Sequence, residues 1–193
     1  MSRTQKILRT LVIVGVVGGL SALGAFSAFT SQADNPGNEV TAGTVTLADN
    51  DGGTALYNIT NAKPGDSSGV KCIRVSYSGS LDADLKLYTP STIGALGPYV
   101  NLKVEAGTQV TPSFPSCTAF VAETTLFDAA LSTFPTTYAG STISDYPGTS
   151  AIKWVNGDAV VYRVTATLSS SAPDSAQGAT TGSHTLRWEA RNQ

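Results

Sequence analysis

Alternation with a period of two residues recurs along this chain and restricts it to a fold of half-buried strands. Leu81, Ala83, Leu85 and Leu87 alternate with Asp82, Asp84 and Lys86, and Val100, Leu102 and Val104 alternate with Asn101, Lys103 and Glu105. Successive side chains of a strand point to opposite faces, so each run carries one apolar and one polar face. The same rhythm appears at Ile73, Val75 and Tyr77, at Val160, Tyr162, Val164, Ala166 and Leu168, and at Leu186, Trp188 and Ala190. Two further strands are expected over Thr44 to Leu47 and Leu56 to Ile59. Gly, Pro, Asn, Asp and Ser cluster between the runs, at Asp49 to Gly53, Lys63 to Gly69 and Ala172 to Gly182. Many short strands separated by turn signals predict an all-β chain folded as an antiparallel β-sandwich.

One segment departs from this rhythm. Phe127, Ala130, Leu131 and Phe134 recur at helical spacing, with Thr124 or Thr125 available as a cap and Pro135 as a stop, which predicts one short helix. A loop rich in Gly, Ser, Thr and Tyr, Thr136 to Thr149, leads back to the sheet.

The N-terminus reads as an export signal over residues 1–27. Arg3, Lys6 and Arg9 form its basic start, Leu11 to Leu20 its apolar run, and Ala25-Phe26-Ser27 the small-residue site at which a signal peptidase would cut before Ala28. The alternative is a retained anchor, because Leu11 to Phe29 is uncharged over 19 residues, close to the roughly 20 that span a bilayer. Gly15, Gly18, Gly19 and Gly24 dilute that run, which favours cleavage, and cleavage leaves no permanent membrane span. The chain then divides into an arm over 28–42 and a sandwich domain over 43–193.

Residues 1–27 hold three of the 12 Lys and Arg and none of the 14 Asp and Glu, so the formal charge of −2 becomes −5 for the remaining 166 residues. A mildly acidic chain of that length fits one domain with its own core and argues against nucleic acid as a partner. Cys72 and Cys117 are an even pair in an exported chain, for which a disulfide is the expected state. Closing that loop of 46 residues stabilises a fold by about 4 kcal/mol on chain-entropy grounds.

Gly24-Ala25-Phe26-Ser27-Ala28-Phe29 at the cleavage junction, Thr41-Ala42-Gly43-Thr44-Val45-Thr46-Leu47 at the first expected strand and Asn61-Ala62-Lys63-Pro64-Gly65-Asp66 at a turn together resemble the TasA and camelysin family of secreted Gram-positive proteins, in particular its actinobacterial-type members with an ER-type signal peptidase site. Asn61-Ala62-Lys63-Pro64-Gly65-Asp66 is similar to its Asn-x-Lys-Pro-Gly-Asp turn, where Pro64 sets φ and Gly65 permits the positive φ of a type II turn. Gln177-Gly178 and the closing run Leu186 to Gln193 agree as well, whereas Pro112 to Gly148 carries nothing familiar. The resemblance implies a jelly-roll-like sandwich, secreted to the cell surface or extracellular matrix. For matrix members it implies biofilm fibres made of copies of the chain joined head to tail, with an accessory matrix protein as a further partner. The arm supplies a physical means: Ala28, Phe29, Ala33 and Val40 are its apolar side chains through Val40, and Asn35-Pro36-Gly37-Asn38 marks a turn. Donated to the open sheet edge of a second copy, the arm would gain backbone hydrogen bonds and bury Phe29. The opposite reading is an arm that stays unstructured or folds onto its own domain.

The family also brings a peptidase reading through camelysin, yet little catalytic chemistry is spelled out. The sole histidine, His184, lies on the face shared by Leu186 and Trp188, where a packing role is expected, and a common zinc protease requires two histidines on a helix. Gly65-Asp66-Ser67-Ser68-Gly69 matches the spelling of a nucleophile elbow, but a strand rather than a helix follows it. Asp49-Asn50-Asp51-Gly52 resembles the opening of a calcium loop without its distal glutamate, so Asp49 and Asp51 are weak metal candidates beside a plain hairpin turn. Tyr57, Tyr77, Tyr88, Tyr99, Tyr138, Tyr146 and Tyr162 with Trp154 offer rings for glycan stacking or for packing, which keeps a carbohydrate-binding adhesion module open. No cofactor is expected, and without a Leu-Pro-x-Thr-Gly signal neither is covalent wall attachment.

Overall fold

The computed structural model describes residues 41–143 and 153–192, together with residues 3–5, 7, 11 and 12, which are helical. The cleavage residues Ala25, Ser27 and Ala28, the arm residues Phe29, Ala33 and Val40, and the end of the Thr136 to Thr149 loop lie outside the described residues. Met1–Thr41 and Ala42–Gln193 are separate compact units, and the strands belong to the second.

Among the described residues the strands are β1 (Leu47–Asp49), β2 (Lys71–Tyr77), β3 (Ala83–Tyr88), β4 (Val100–Gln109), β5 (Phe120–Ala130), β6 (Ala159–Leu168) and β7 (Arg187–Asn192). They form a five-stranded sheet in the order β1-β2-β6-β4-β5 and a two-stranded sheet of β3 and β7. Every pairing is antiparallel. The chain is thus the antiparallel β-sandwich that the alternation predicts. Both the β2–β3 and the β6–β7 connections pass from the large sheet to the small one, and because β2 neighbours β6 while β3 neighbours β7, the two crossings run side by side.

The period-two runs place their apolar residues in the core between the sheets. Ile73, Val75 and Tyr77 of β2, Val160, Tyr162, Val164, Ala166 and Leu168 of β6, and Val100, Leu102, Val104 and Ala106 of β4 meet Ala83, Leu85 and Leu87 of β3, with Trp188 and Ala190 of β7 packed against them. Full burial of each Val, Leu or Ile contributes about 1.5–3 kcal/mol. At roughly 4.8 Å between strands, two strands cover less than half of a five-stranded face. Leu131, Phe134, Ile143 and Trp154, which lie outside the long strands, fill part of the difference.

The predicted helix around Phe127 to Phe134 does not form. Residues through Ala130 belong to β5, and only Leu131–Thr133 turn, as one 3-10 turn. Two register shifts between β4 and β5 break strict alternation, and the turn then swings Leu131 and Phe134 inward, so a strand followed by a bend imitates helical spacing. Val121, Thr124 and Thr125 are residues that favour strands. The strand expected over Thr44 to Leu47 is assigned at Leu47–Asp49 instead, although Thr44 and Thr46 carbonyls still accept from Ser80 and Ser78 amides. Leu56 to Ile59 forms no strand, because no described residue pairs with its backbone.

Cys72 and Cys117 form the expected disulfide, with Cα atoms 5.1 Å apart. The Cys72 amide also donates to the Pro115 carbonyl at 3.1 Å, so the β4–β5 connection is held down against β2. On the outer face of the same sheet, Arg163 of β6 donates to the buried Glu105 of β4 at 2.7 Å, and Lys103 pairs with that carboxylate at 3.1 Å. The Arg163 hydrogen bond, against the opposing effect of burial, holds the Glu105 carboxyl below its ordinary pKa.

Candidate functional site

The two sheets do not close equally at their edges. Beyond β3 the chain covers the edge: Ala83 and Trp154 exchange backbone hydrogen bonds at 3.0 and 2.8 Å, Leu87 N–H donates to Ile143, and Thr89 N–H donates to Pro135. On the far side of β7 no strand is paired among the described residues. An antiparallel strand directs alternate N–H and C=O groups to each side, so half of the β7 backbone groups point away from β3.

A cleft of about 570 Å³ opens at the start of that edge, walled by residues 53–59 on one side and by residues 180–186 with Trp188 on the other. A second hollow of about 270 Å³ continues toward Leu47, Ala48 and Asp49 of β1 and Val75 of β2. Together they form a seam between β1, the edge of the large sheet, and β7, the edge of the small one. No backbone group of residues 55–62 takes part in a hydrogen bond with another described residue. Unpaired backbone on a strand edge and on a facing wall is the arrangement that accepts an added strand.

Inside the seam the side chains are mixed. Tyr57 Oη lies 2.6 Å from His184 Nε2, and His184 Nδ1 lies 3.0 Å from the Gly182 carbonyl. A carbonyl only accepts, so Nδ1 carries a proton, and in the neutral imidazole Nε2 then accepts from the Tyr57 hydroxyl. Burial pushes the Tyr57 hydroxyl up to about 12, which keeps it a donor throughout the neutral range. Nε2 of His184 therefore ties the 180–186 wall to the 53–59 wall through Tyr57, while Nδ1 holds the ring within its own loop. Trp188 packs its ring 5.3 Å from Tyr162 in the core, while its buried indole N–H has no partner among the described residues. A buried donor without a partner costs about 1–3 kcal/mol.

The seam gathers residues that the sequence suggested for unrelated reasons. Asp51 lines both hollows, Asp49 the smaller and His184 the larger. The two aspartates are spent on their own turn: Asp49 Oδ1 accepts from Asp51 N–H at 3.2 Å and Asp51 Oδ1 from Gly53 N–H at 2.6 Å. Burial raises the Asp49 carboxyl above its usual range, with the Asp51 carboxylate adding to the effect. Among the described residues no group of three or more His, Cys, Asp or Glu side chains is arranged to hold a metal ion. Lys63, Pro64, Gly65 and Asp66 lie elsewhere, in a turn closed by Asp66 N–H to the Lys63 carbonyl at 2.9 Å, with Gly65 at φ +94°. Ser67 contacts Thr167 across a bridge, and β2 follows it, so it and His184 belong to different parts of the fold. The role of Tyr57 was missed, since its partner lies 127 positions away and neither residue carries a local signal.

No family model matches this chain, and a search of curated proteins finds no match at a significant level.

Proposed function

We propose that this chain is a secreted structural subunit that polymerises head to tail, the seam beside β7 receiving residues 28–41 of a second copy as an added strand. The observation that carries this reading is that, among the described residues, the β7 edge is unpaired and faces a wall, residues 55–62, that makes no hydrogen bond through its backbone. β7 is six residues long, so about 20 Å of extended chain lines it. The arm, at up to about 45 Å when extended, reaches that length with a linker to spare. A two-stranded sheet is marginal alone, and a third strand would extend it across the hollow toward β1. Donor and acceptor are different surfaces, so the contact propagates instead of closing.

Export is supported by the basic, apolar and small-residue order of residues 1–27, by the exposure of Ile7, Leu11 and Val12, and by the disulfide, which suits an oxidising compartment. Among the described residues no helix is long and apolar enough to cross a membrane. The resemblance to the TasA and camelysin family points the same way. Its peptidase reading finds less support, since the one histidine has both nitrogens engaged. Negative-stain electron microscopy of residues 28–193 beside a chain starting at Gly43 tests the proposal. Regular filaments from the longer chain alone support it, and single particles from both refute it.

A further inference from the structure

The outward face of the β3–β7 sheet carries a separate arrangement of charge. The register sets Asp84 opposite Arg191, Lys86 opposite Glu189 and Tyr88 opposite Arg187. Lys153 pairs with Asp84, Arg191 with Glu189 at 2.7 Å, and the Tyr88 hydroxyl donates to Glu189. Lys86 and Arg187 are left with no carboxylate at ion-pair distance among the described residues. Four cations thus stand against two carboxylates on a sheet face of a chain whose formal charge is −2. They are held in place: Arg191 lies 4.1 Å and Lys86 5.1 Å from the Tyr138 ring, Arg187 lies 5.8 Å from the Tyr88 ring, and Lys86 donates to the Ser141 carbonyl at 3.2 Å. Cations braced over rings lose less freedom when an anion arrives.

The geometry points to this face as a binding surface for an anionic polysaccharide, a glycan chain carrying carboxylate or phosphodiester groups at its repeats. Arg187 and Arg191 are four residues apart on one strand, about 13 Å, and Lys86 stands opposite their midpoint, so the cations suit anions repeating every ~6 Å. Guanidinium forks at both ends favour oxyanions bound through two oxygens. A peptide would need an edge or pockets, whereas this is the face of a sheet. Nucleic acid would want open aromatic faces or a longer basic stripe, and the Tyr138 ring has cations from two strands against it. Arg187 also lines the smaller hollow of the seam, whereas Lys86, Lys153 and Arg191 line neither hollow, so a chain that begins at Gly43 and has no arm to donate reads this binding apart from polymerisation.

The test is retention of the full-length secreted chain on immobilised polygalacturonate, poly(glycerol phosphate), neutral dextran and single-stranded DNA. Retention on either acidic glycan polymer at low salt, lost by about 0.3 M salt as screening shortens to a few ångströms, supports the assignment, and the two columns distinguish carboxylate from phosphodiester recognition. The double variant K86Q/R187Q should bind about tenfold more weakly. Arg187→Glu, at an exposed position, should lose binding without disturbing the Lys86 contact to Ser141, and Arg74→Gln on the opposite sheet should change nothing. Flow-through of the wild type on both acidic polymers, equal retention on dextran, tighter binding to DNA, or undiminished binding by folded K86Q/R187Q and Arg187→Glu would each overturn it.

Discussion

Removing the disulfide tests how much of the fold's stability rests on the Cys72–Cys117 bond. Cys72 is 1% exposed within β2, and its partner lies 45 positions on, in the connection that leads into β5. Cutting the bond frees a 46-residue loop, and the chain entropy regained by the unfolded state is about 4 kcal/mol at 25 °C. A total stability of about 5–15 kcal/mol makes that a quarter or more of the whole. For a domain of this size each kcal/mol moves Tm by about 2–4 °C, so the double variant C72A/C117A should melt about 8–16 °C lower. The effect lies in the unfolded state, which becomes more expanded, so the urea m-value should rise as well. Calorimetry and urea titration, on the variant and on the wild type with and without reductant, read both quantities. An unchanged Tm and an unchanged m-value would refute the reasoning.

Arg163→Gln should cost about 1–2 kcal/mol at neutral pH by leaving the buried Glu105 carboxylate with Lys103 alone. The Glu105 pKa is depressed in the folded chain, so the stability it contributes is present above the ordinary carboxylate range and is lost as pH falls. The penalty of Arg163→Gln should therefore shrink in acid, and a penalty independent of pH would contradict the pairing. Tyr57→Phe should cost about 1 kcal/mol by removing the bond to His184. Because the Tyr57 hydroxyl is raised to about 12, the folded chain keeps a proton that the unfolded chain releases near 10, and wild-type stability falls across that interval. Tyr57→Phe should flatten that alkaline decline in denaturant titrations, and an unchanged slope would show the hydroxyl to be solvated. Gly107→Ala places a Cβ 2.0 Å from the Val121 carbonyl oxygen at the β4–β5 irregularity. A loss of about 1–3 kcal/mol is expected in urea, and no loss would mean that β5 shifts freely.

The long strands could be read from the sequence because one face of each is buried, which enforces alternation at Ala83, Leu85 and Leu87 or at Val160, Tyr162 and Val164. β5 could not, because it is an edge strand with two register shifts and an inner face shared with a 3-10 turn, so its spacing passes for helical. The pairing of Cys72 with Cys117 followed from there being only two cysteines. The seam was illegible for a different reason. It is built by what is missing beside β7 and by Tyr57 and His184 meeting across 127 positions, neither of which leaves a local pattern.

The most direct measurement is the binding of a synthetic peptide of residues 28–41 to the chain that begins at Gly43, followed by its thermal unfolding. Strand acceptance at the seam predicts a rise in Tm that saturates with peptide, by mass action. It also predicts loss of that rise in Tyr57→Asp, which places a charge in the cleft, and its retention in Val121→Asp on the competing β5 edge. A Tm indifferent to the peptide, or a rise abolished by Val121→Asp and kept by Tyr57→Asp, would contradict the seam as the acceptor.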